Sequence, residues 1–336
     1  MGLGSYPIIS LEEAREKALE ARRLVKQGVD PIAEKRRSSS ILSFAQAARE
    51  VHRINAPSWK NAKHGAQFIS TLETYTFPHF GDLSIASIQS QHILSALQPI
   101  WLSKPETARR VKQRIGKVME WSMAQGWRID NPVDAATAGL PKQNAPKNRR
   151  KALPYREVPA LIDAVQASGA APLTKLAFEF LVLTAGRSGE VRESSWSEIN
   201  ETEQLWVIPG DRMKAGQEHR VALSGRAFQV LEEARAHSDG SDLIFSGSRY
   251  GKPLSDATLR KLVRSLGFEV DIHGFRSSFR TWASEQTDYR PEIPEMALAH
   301  SVGNAVQRAY ARTDLLDKRR ALMEDWAEYC YPKQED

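Results

Sequence analysis

The residues best suited to chemistry lie in the second half of the chain. Thr184-Ala185-Gly186-Arg187-Ser188-Gly189-Glu190 closes an apolar helical stretch and places Arg187 at a helix–loop junction, with Glu190 close behind it. In Ile272-His273-Gly274-Phe275-Arg276, the i, i+3 spacing puts His273 and Arg276 on one helix face. Leu298-Ala299-His300 follows, and Tyr310 stands 10 residues beyond His300. Fixed guanidinium groups hold anionic oxygens and imidazoles move protons near neutral pH. A phenol becomes a nucleophile once a base or neighbouring cations favour its deprotonation. Each fragment is weak alone. An HxxR pair arises by chance in many chains of this length, an arginine after a buried helix is commonly a cap or ion-pair partner, and most tyrosines have no catalytic role.

Other chemistries lack their residues. The eight histidines are scattered, and neither HExxH nor CxxC occurs, so a catalytic zinc is not expected. Neither a Walker-type phosphate loop nor GxGxxG is present, which argues against nucleotide-driven chemistry. No cofactor and no metal are expected. The single cysteine, Cys330, has no disulfide partner and suits a reducing compartment. No apolar run approaches the roughly 18 residues of a membrane span, and the start lacks a signal-peptide layout, so the expected location is the cytoplasm, at the nucleoid. With 47 Lys+Arg against 41 Asp+Glu, the net charge of +6 permits nucleic acid binding without proving it.

The 336 residues suggest roughly two domains at about 150 residues each. Ser10 and Glu13 form a capping box for a short helix stopped by Gly28 and Pro31. From Ile41 to Leu140 the pattern is helical throughout. Its clearest segment, Pro105 to Gly126, lines one face with Ala108, Val111, Ile115, Val118 and Met119, and covers the rest with Arg109, Arg110, Lys112, Arg114 and Lys117. That basic face is either solvated surface or a phosphate-contacting helix. Pro141 to Ala152 has two prolines, no acidic residue, and Lys142, Lys147, Arg149, Arg150 and Lys151, the composition of a linker able to cross a polyanion. Helices resume at Pro154. Leu205 to Ile208 and Val221 to Leu223 read as a β-hairpin, with Leu243 to Phe245 a further short strand, before helices return from Ser255 onward. Phe275 and Trp282 belong to the apolar face of the HxxR helix and are expected in the core.

In order and spacing, the set Arg187, Glu190, His273, Arg276, His300 and Tyr310 resembles the tyrosine recombinase family, in particular the phage and prophage integrases. Gly126-Trp127-Arg128-Ile129-Asp130-Asn131-Pro132, Trp196-Ser197-Glu198-Ile199 and the tail Leu315 to Tyr329 are further likenesses, and the resemblance covers essentially the whole chain. It adds Lys214, which matches the family's hairpin lysine. It implies that Arg187 and Arg276 clamp a phosphodiester, that Tyr310 attacks it to form a 3′-phosphotyrosine, and that Lys214 protonates the leaving 5′ oxygen. His273 and His300 would assist proton transfer, and Glu190 would orient the cluster. The cations then supply the charge that metal ions provide in many nucleases.

The implied architecture is mainly α with a small antiparallel sheet: a helical core-type DNA-binding domain (41–140), a basic linker (141–152), a mixed α/β catalytic domain (153–331) and a tail (332–336). Residues 1–40 resemble only the final portion of an arm-type DNA-binding domain, which is expected to be truncated. Implied partners are double-stranded DNA, three further copies in a homotetramer, an excisionase and a host DNA-bending protein; no membrane is expected. The alternatives are a degenerate, noncatalytic DNA-binding protein and a type IB topoisomerase. Two departures stand out: the family usually has Gly where Ala185 sits, and a different small or apolar residue at Gly186.

Overall fold

A computed structural model describes residues 5–33, 41–59, 62–143, 151–300 and 313–332. The chain divides into two compact units, Met1–Asn148 and Arg149–Asp336.

In the first unit the Ser10 capping box forms, with the Glu13 amide donating to Ser10 Oγ (3.2 Å) and the Ser10 amide to Glu13 Oε2 (2.7 Å). It starts the helix Leu11–Lys26, none of whose residues is buried. Ser43 and Gln46 repeat the device at the start of Phe44–Asn55. That helix packs with Ala62–Tyr75, Ser90–Trp101 and Pro105–Ala124 around Phe44, Leu72, Phe80, Leu97 and Ile115. The apolar stripe of Pro105–Ala124 is fully buried as its spacing predicts. Arg114 corrects the reading of its basic face. Only 7 % exposed, it donates to the Gln67 carbonyl (2.7 Å) and to Thr71 Oγ1, so it braces the helix packing and does not face solvent. It follows Val111 by three positions and precedes Ile115, at the border of the stripe, where a long side chain finds carbonyls to satisfy. Arg128 is likewise buried and donates to the carbonyls of Ile85 (2.9 Å), Ile88 (3.1 Å) and Asp130 (2.7 Å).

The second unit is built on Pro172–Thr184, a helix in which ten of 13 residues are buried; a helix apolar on nearly every side belongs at the centre of a core. A three-stranded antiparallel sheet of order β1-β2-β3 is formed by Ile199–Asn200 (β1), Leu205–Ile208 (β2) and His219–Ala222 (β3), with Ile208 opposite His219 at the hairpin's inner end. The third strand is thus not Leu243 to Phe245. Leu243 makes one isolated bridge to Ser195, while Ile244 and Phe245 insert fully into the core. The two-residue β1 is too short to show a strand's alternation in sequence.

Gly274–Gln286 presents its back to the core through Phe275, Phe279 and Trp282, and Trp282 packs 4.9 Å from Trp326 of the last helix, Leu316–Cys330. Trp326 also donates to the Val182 carbonyl (2.9 Å), so this last helix is seated on its own unit. At Gly274 a Cβ would lie 2.5 Å from the Lys151 carbonyl oxygen. Only glycine lets the helix start so close to the chain entering the unit, and this fixes where Arg276, two residues later, emerges.

Candidate active site

Helix Pro172–Thr184 ends because Ala185 turns left-handed, at φ 47° and ψ 31°. This conformation costs an alanine about 1–2 kcal/mol and explains why glycine suits the position better. Gly186 is required for a different reason: a Cβ there would meet Val191 Cγ2 at 2.9 Å and Thr184 Oγ1 at 3.1 Å. The turn delivers Arg187 to the N-cap of the short helix Ser188–Arg192. There Glu190, 8 % exposed, grips it twice, accepting from the Arg187 amide (3.0 Å) and from Nη1 (2.6 Å).

Arg276 comes to the same turn from the other side. Its Nη1 donates to the Ala185 carbonyl (2.7 Å), and its Nη2 to the Leu298 carbonyl and toward His300 Nε2 (3.3 Å). Its Nε is buried without a hydrogen-bond partner. Burial first, and the nearby Arg187 guanidinium second, lower its pKa to about 10. The convergence of Arg187 on the buried Arg276 marks a place where an anion would be stabilised.

His300 follows Ala299, which also has a positive φ of 50°. Its amide donates to the Glu295 carbonyl (2.9 Å), and its Nδ1 lies 2.6 Å from Glu295 Oε2. A carboxylate there assigns the proton to Nδ1 and leaves the Nε2 lone pair directed at Arg276. Arg280 Nε holds the other Glu295 oxygen. Burial would raise the Glu295 pKa, but the hydrogen bonds from Arg280 and His300 outweigh it and hold the carboxyl below its ordinary value. Neither Glu295 nor Arg280 is conspicuous in the sequence, because their partnership depends on how two helices meet.

The other expected site residues are placed as follows. His273 is half-buried at the N-cap of the Arg276 helix. Lys214 is exposed in the loop between β2 and β3. Tyr310 lies outside the described residues. Of the basic residues read as DNA-facing, Arg109 and Arg110 are exposed and share Glu106 (3.2 and 3.0 Å), Lys112 lies 3.5 Å from Asp134, and Lys117 and Lys142 are exposed. Exposed Lys151 pairs with Glu269 (2.9 Å), while Lys147, Arg149 and Arg150 lie outside the described residues.

Residues 151–315 match the phage integrase family, residues 44–138 the phage integrase central domain, and residues 1–38 an arm DNA-binding domain. Prophage integrase IntZ of Escherichia coli (strain K12) is 30% identical over 97% of this chain and 82% of its own. The chain belongs to the phage integrase family. It is a site-specific tyrosine recombinase acting on DNA. The integrase of Enterobacteria phage P4 is also 30% identical, over 98% of this chain and 79% of its own. Among solved structures, a lambda integrase tetramer bound to a Holliday junction has the same fold, with a TM-score of 0.63 at 19% identity, covering 92% of this chain and 88% of that one.

For this integrase-family site, Glu295→Gln is expected to slow strand cleavage about 10- to 100-fold, because the amide no longer fixes the His300 ring with Nε2 as the proton acceptor. Single-turnover cleavage measures the loss, and ¹⁵N shifts of His300 report its tautomer; an unchanged rate would remove Glu295 from the account.

His219, on β3, donates from Nε2 to the Ala297 carbonyl (3.2 Å), tying the sheet to the segment that carries His300. Burial first, then the charge of Arg319, lower its pKa from 6.5 to about 4. The imidazole is thus neutral in the fold, and between these values the unfolded chain binds the extra proton. Stability contributed here is complete above about pH 6.5 and lost as pH falls toward 4, by roughly 3 kcal/mol at 1.36 kcal/mol per unit. Urea midpoints at pH 4.5 and 7.0 should differ less in His219→Asn than in the parent; equal differences would refute the linkage.

Proposed function

We propose that this recombinase integrates or excises mobile DNA by cutting and rejoining strands through a 3′-phosphotyrosine. The observation that carries the reading is the meeting of Arg187, Arg276 and His300, drawn from three separate segments, around one cationic locus where Glu190 holds Arg187 and backbone carbonyls hold Arg276. A phosphodiester placed there gains negative charge on its non-bridging oxygens as it is attacked, and the two guanidinium groups stabilise that charge. Tyr310 Oη forms the new bond to phosphorus as the P–O5′ bond breaks. The phenol proton passes to His300 Nε2, with Glu295 holding the ring through Nδ1, and Lys214 Nζ gives a proton to the departing O5′. His273 adds a hydrogen bond to the phosphoryl group, and Glu190 keeps Arg187 in place. Attack of a 5′-hydroxyl on the phosphotyrosine reverses each transfer and reseals a strand.

Residues 41–140 form the core-type DNA-binding domain, 153–331 the catalytic domain and 1–40 the final portion of an arm-type domain, with 141–152 as the basic connection. Arg109, Arg110, Lys112, Lys117 and Lys142 supply phosphate contacts, together with the exposed cations of helix Thr258–Ser265, Arg260, Lys261 and Arg264. Four copies pair two attachment sites, and an excisionase and a host DNA-bending protein set the direction. The test is a nicked suicide substrate carrying an attachment site, incubated in chelator: a covalent protein–DNA adduct supports the reading. No adduct would leave a noncatalytic DNA-binding protein, and site-independent relaxation of supercoils would indicate a topoisomerase.

A further inference from the structure

The loop from Pro209 to Glu218 carries Lys214 on its exposed side, yet its base is closed. A Cβ on Gly210 would lie 2.8 Å from the Gly216 carbonyl oxygen, so the two arms of the loop touch backbone to backbone. Between them the Arg212 amide donates to the Pro209 carbonyl (3.1 Å), the Gly216 amide to the Met213 carbonyl (3.0 Å), and Met213 is buried. The Arg212 side chain turns inward. Its Nη2 donates to the backbone carbonyl of Glu190 (2.7 Å), and its Nη1 pairs with the buried carboxylate of Glu198. Trp206 Nε1 fixes the other Glu198 oxygen (2.9 Å).

We infer that Arg212 is a positioning residue for Lys214: it fastens the lysine loop to Glu190, the same residue that holds Arg187. The inference rests on the reading of Lys214 as the general acid. A lysine has a long flexible stem and finds a leaving oxygen efficiently only from a fixed root. Two residues before Lys214, the planar guanidinium of Arg212 reaches a carbonyl and a carboxylate through two separate nitrogens, a fixed geometry that a single ammonium does not reproduce. Loop and arginine clamp are thereby set relative to each other before DNA arrives.

The chemistry of the leaving group gives the test. Breaking P–O5′ requires a proton on oxygen, whereas a 5′-bridging sulfur departs as a stable thiolate and needs none. Single-turnover cleavage by the full chain is compared on the two substrates, and the ratio of sulfur to oxygen rates is independent of the fraction of folded enzyme. Lys214→Ala calibrates it: its loss should be confined to the oxygen substrate. Arg212→Lys should lose about 10- to 100-fold on oxygen and stay within about threefold of the parent on sulfur. Should that variant give no folded protein, Glu198→Gln loosens the same anchor and should show the same selectivity. Equal losses on both substrates would overturn the inference, because Arg212 would then serve the arginine clamp alone. If Lys214→Ala itself loses equally on both, the acid assignment fails and the inference falls with it.

Discussion

Arg276→Lys is expected to slow strand cleavage about 100- to 1,000-fold with little change in DNA affinity. Removing one preformed donor to a developing oxyanion typically costs that much. Here the substitution removes more than a donor. The Arg276 guanidinium spans the carbonyls of Ala185 and Leu298 and reaches His300, so it simultaneously holds the turn before Arg187 and the segment before His300. A lysine would offer one ammonium in the same buried place, beside Arg187, where desolvation and like charge both favour its neutral form. Affinity, by contrast, is spread over many phosphate contacts. Cleavage within tenfold of the parent, at equal DNA occupancy, would contradict the clamp.

Tyr310→Phe is expected to abolish the covalent adduct while leaving DNA binding intact, because the variant lacks only the oxygen that would form the bond to phosphorus. Four of the five other tyrosines of the second unit are poor substitutes; the fifth, Tyr250, is 76 % exposed. Tyr289 is pushed up to about 12 by burial and its hydrogen bond to Asp325, and Tyr331 is raised further by burial and the charge of Glu179. Burial also raises Tyr329, and the Tyr155 hydroxyl is engaged by Gln286. A Tyr310→Phe protein that still forms the adduct would show that another residue attacks.

Local signals carried much of the fold. The Ser10 capping box, the stripe of Pro105–Ala124 and the apolar back of the Arg276 helix follow directly from residue type and period. Arg114 did not, because a residue at the edge of a stripe is turned inward or outward by what the neighbouring helix offers, here the Gln67 carbonyl. The chemical groups of the site stand out by type and order, but their supports do not. Glu295 depends on Arg280 from another helix, and Arg212 depends on Glu198 and the Glu190 backbone. Such partnerships join different elements 14 to 22 residues apart, and no helix or strand period encodes them. Ala185 is the reverse case: a departure noticed in sequence gained its physical reason only from a φ of 47°.

The central claim is that a tyrosine oxygen, activated by fixed cations and imidazole, takes the DNA strand. The most direct measurement is proteolysis and mass spectrometry of the adduct trapped on a suicide substrate in chelator. With eight tyrosines in the chain, the nucleotide remnant should be found on the peptide containing Tyr310, linked through phosphate to its side chain. A remnant on any other residue, or no trapped adduct from a protein that binds its site, would contradict the account.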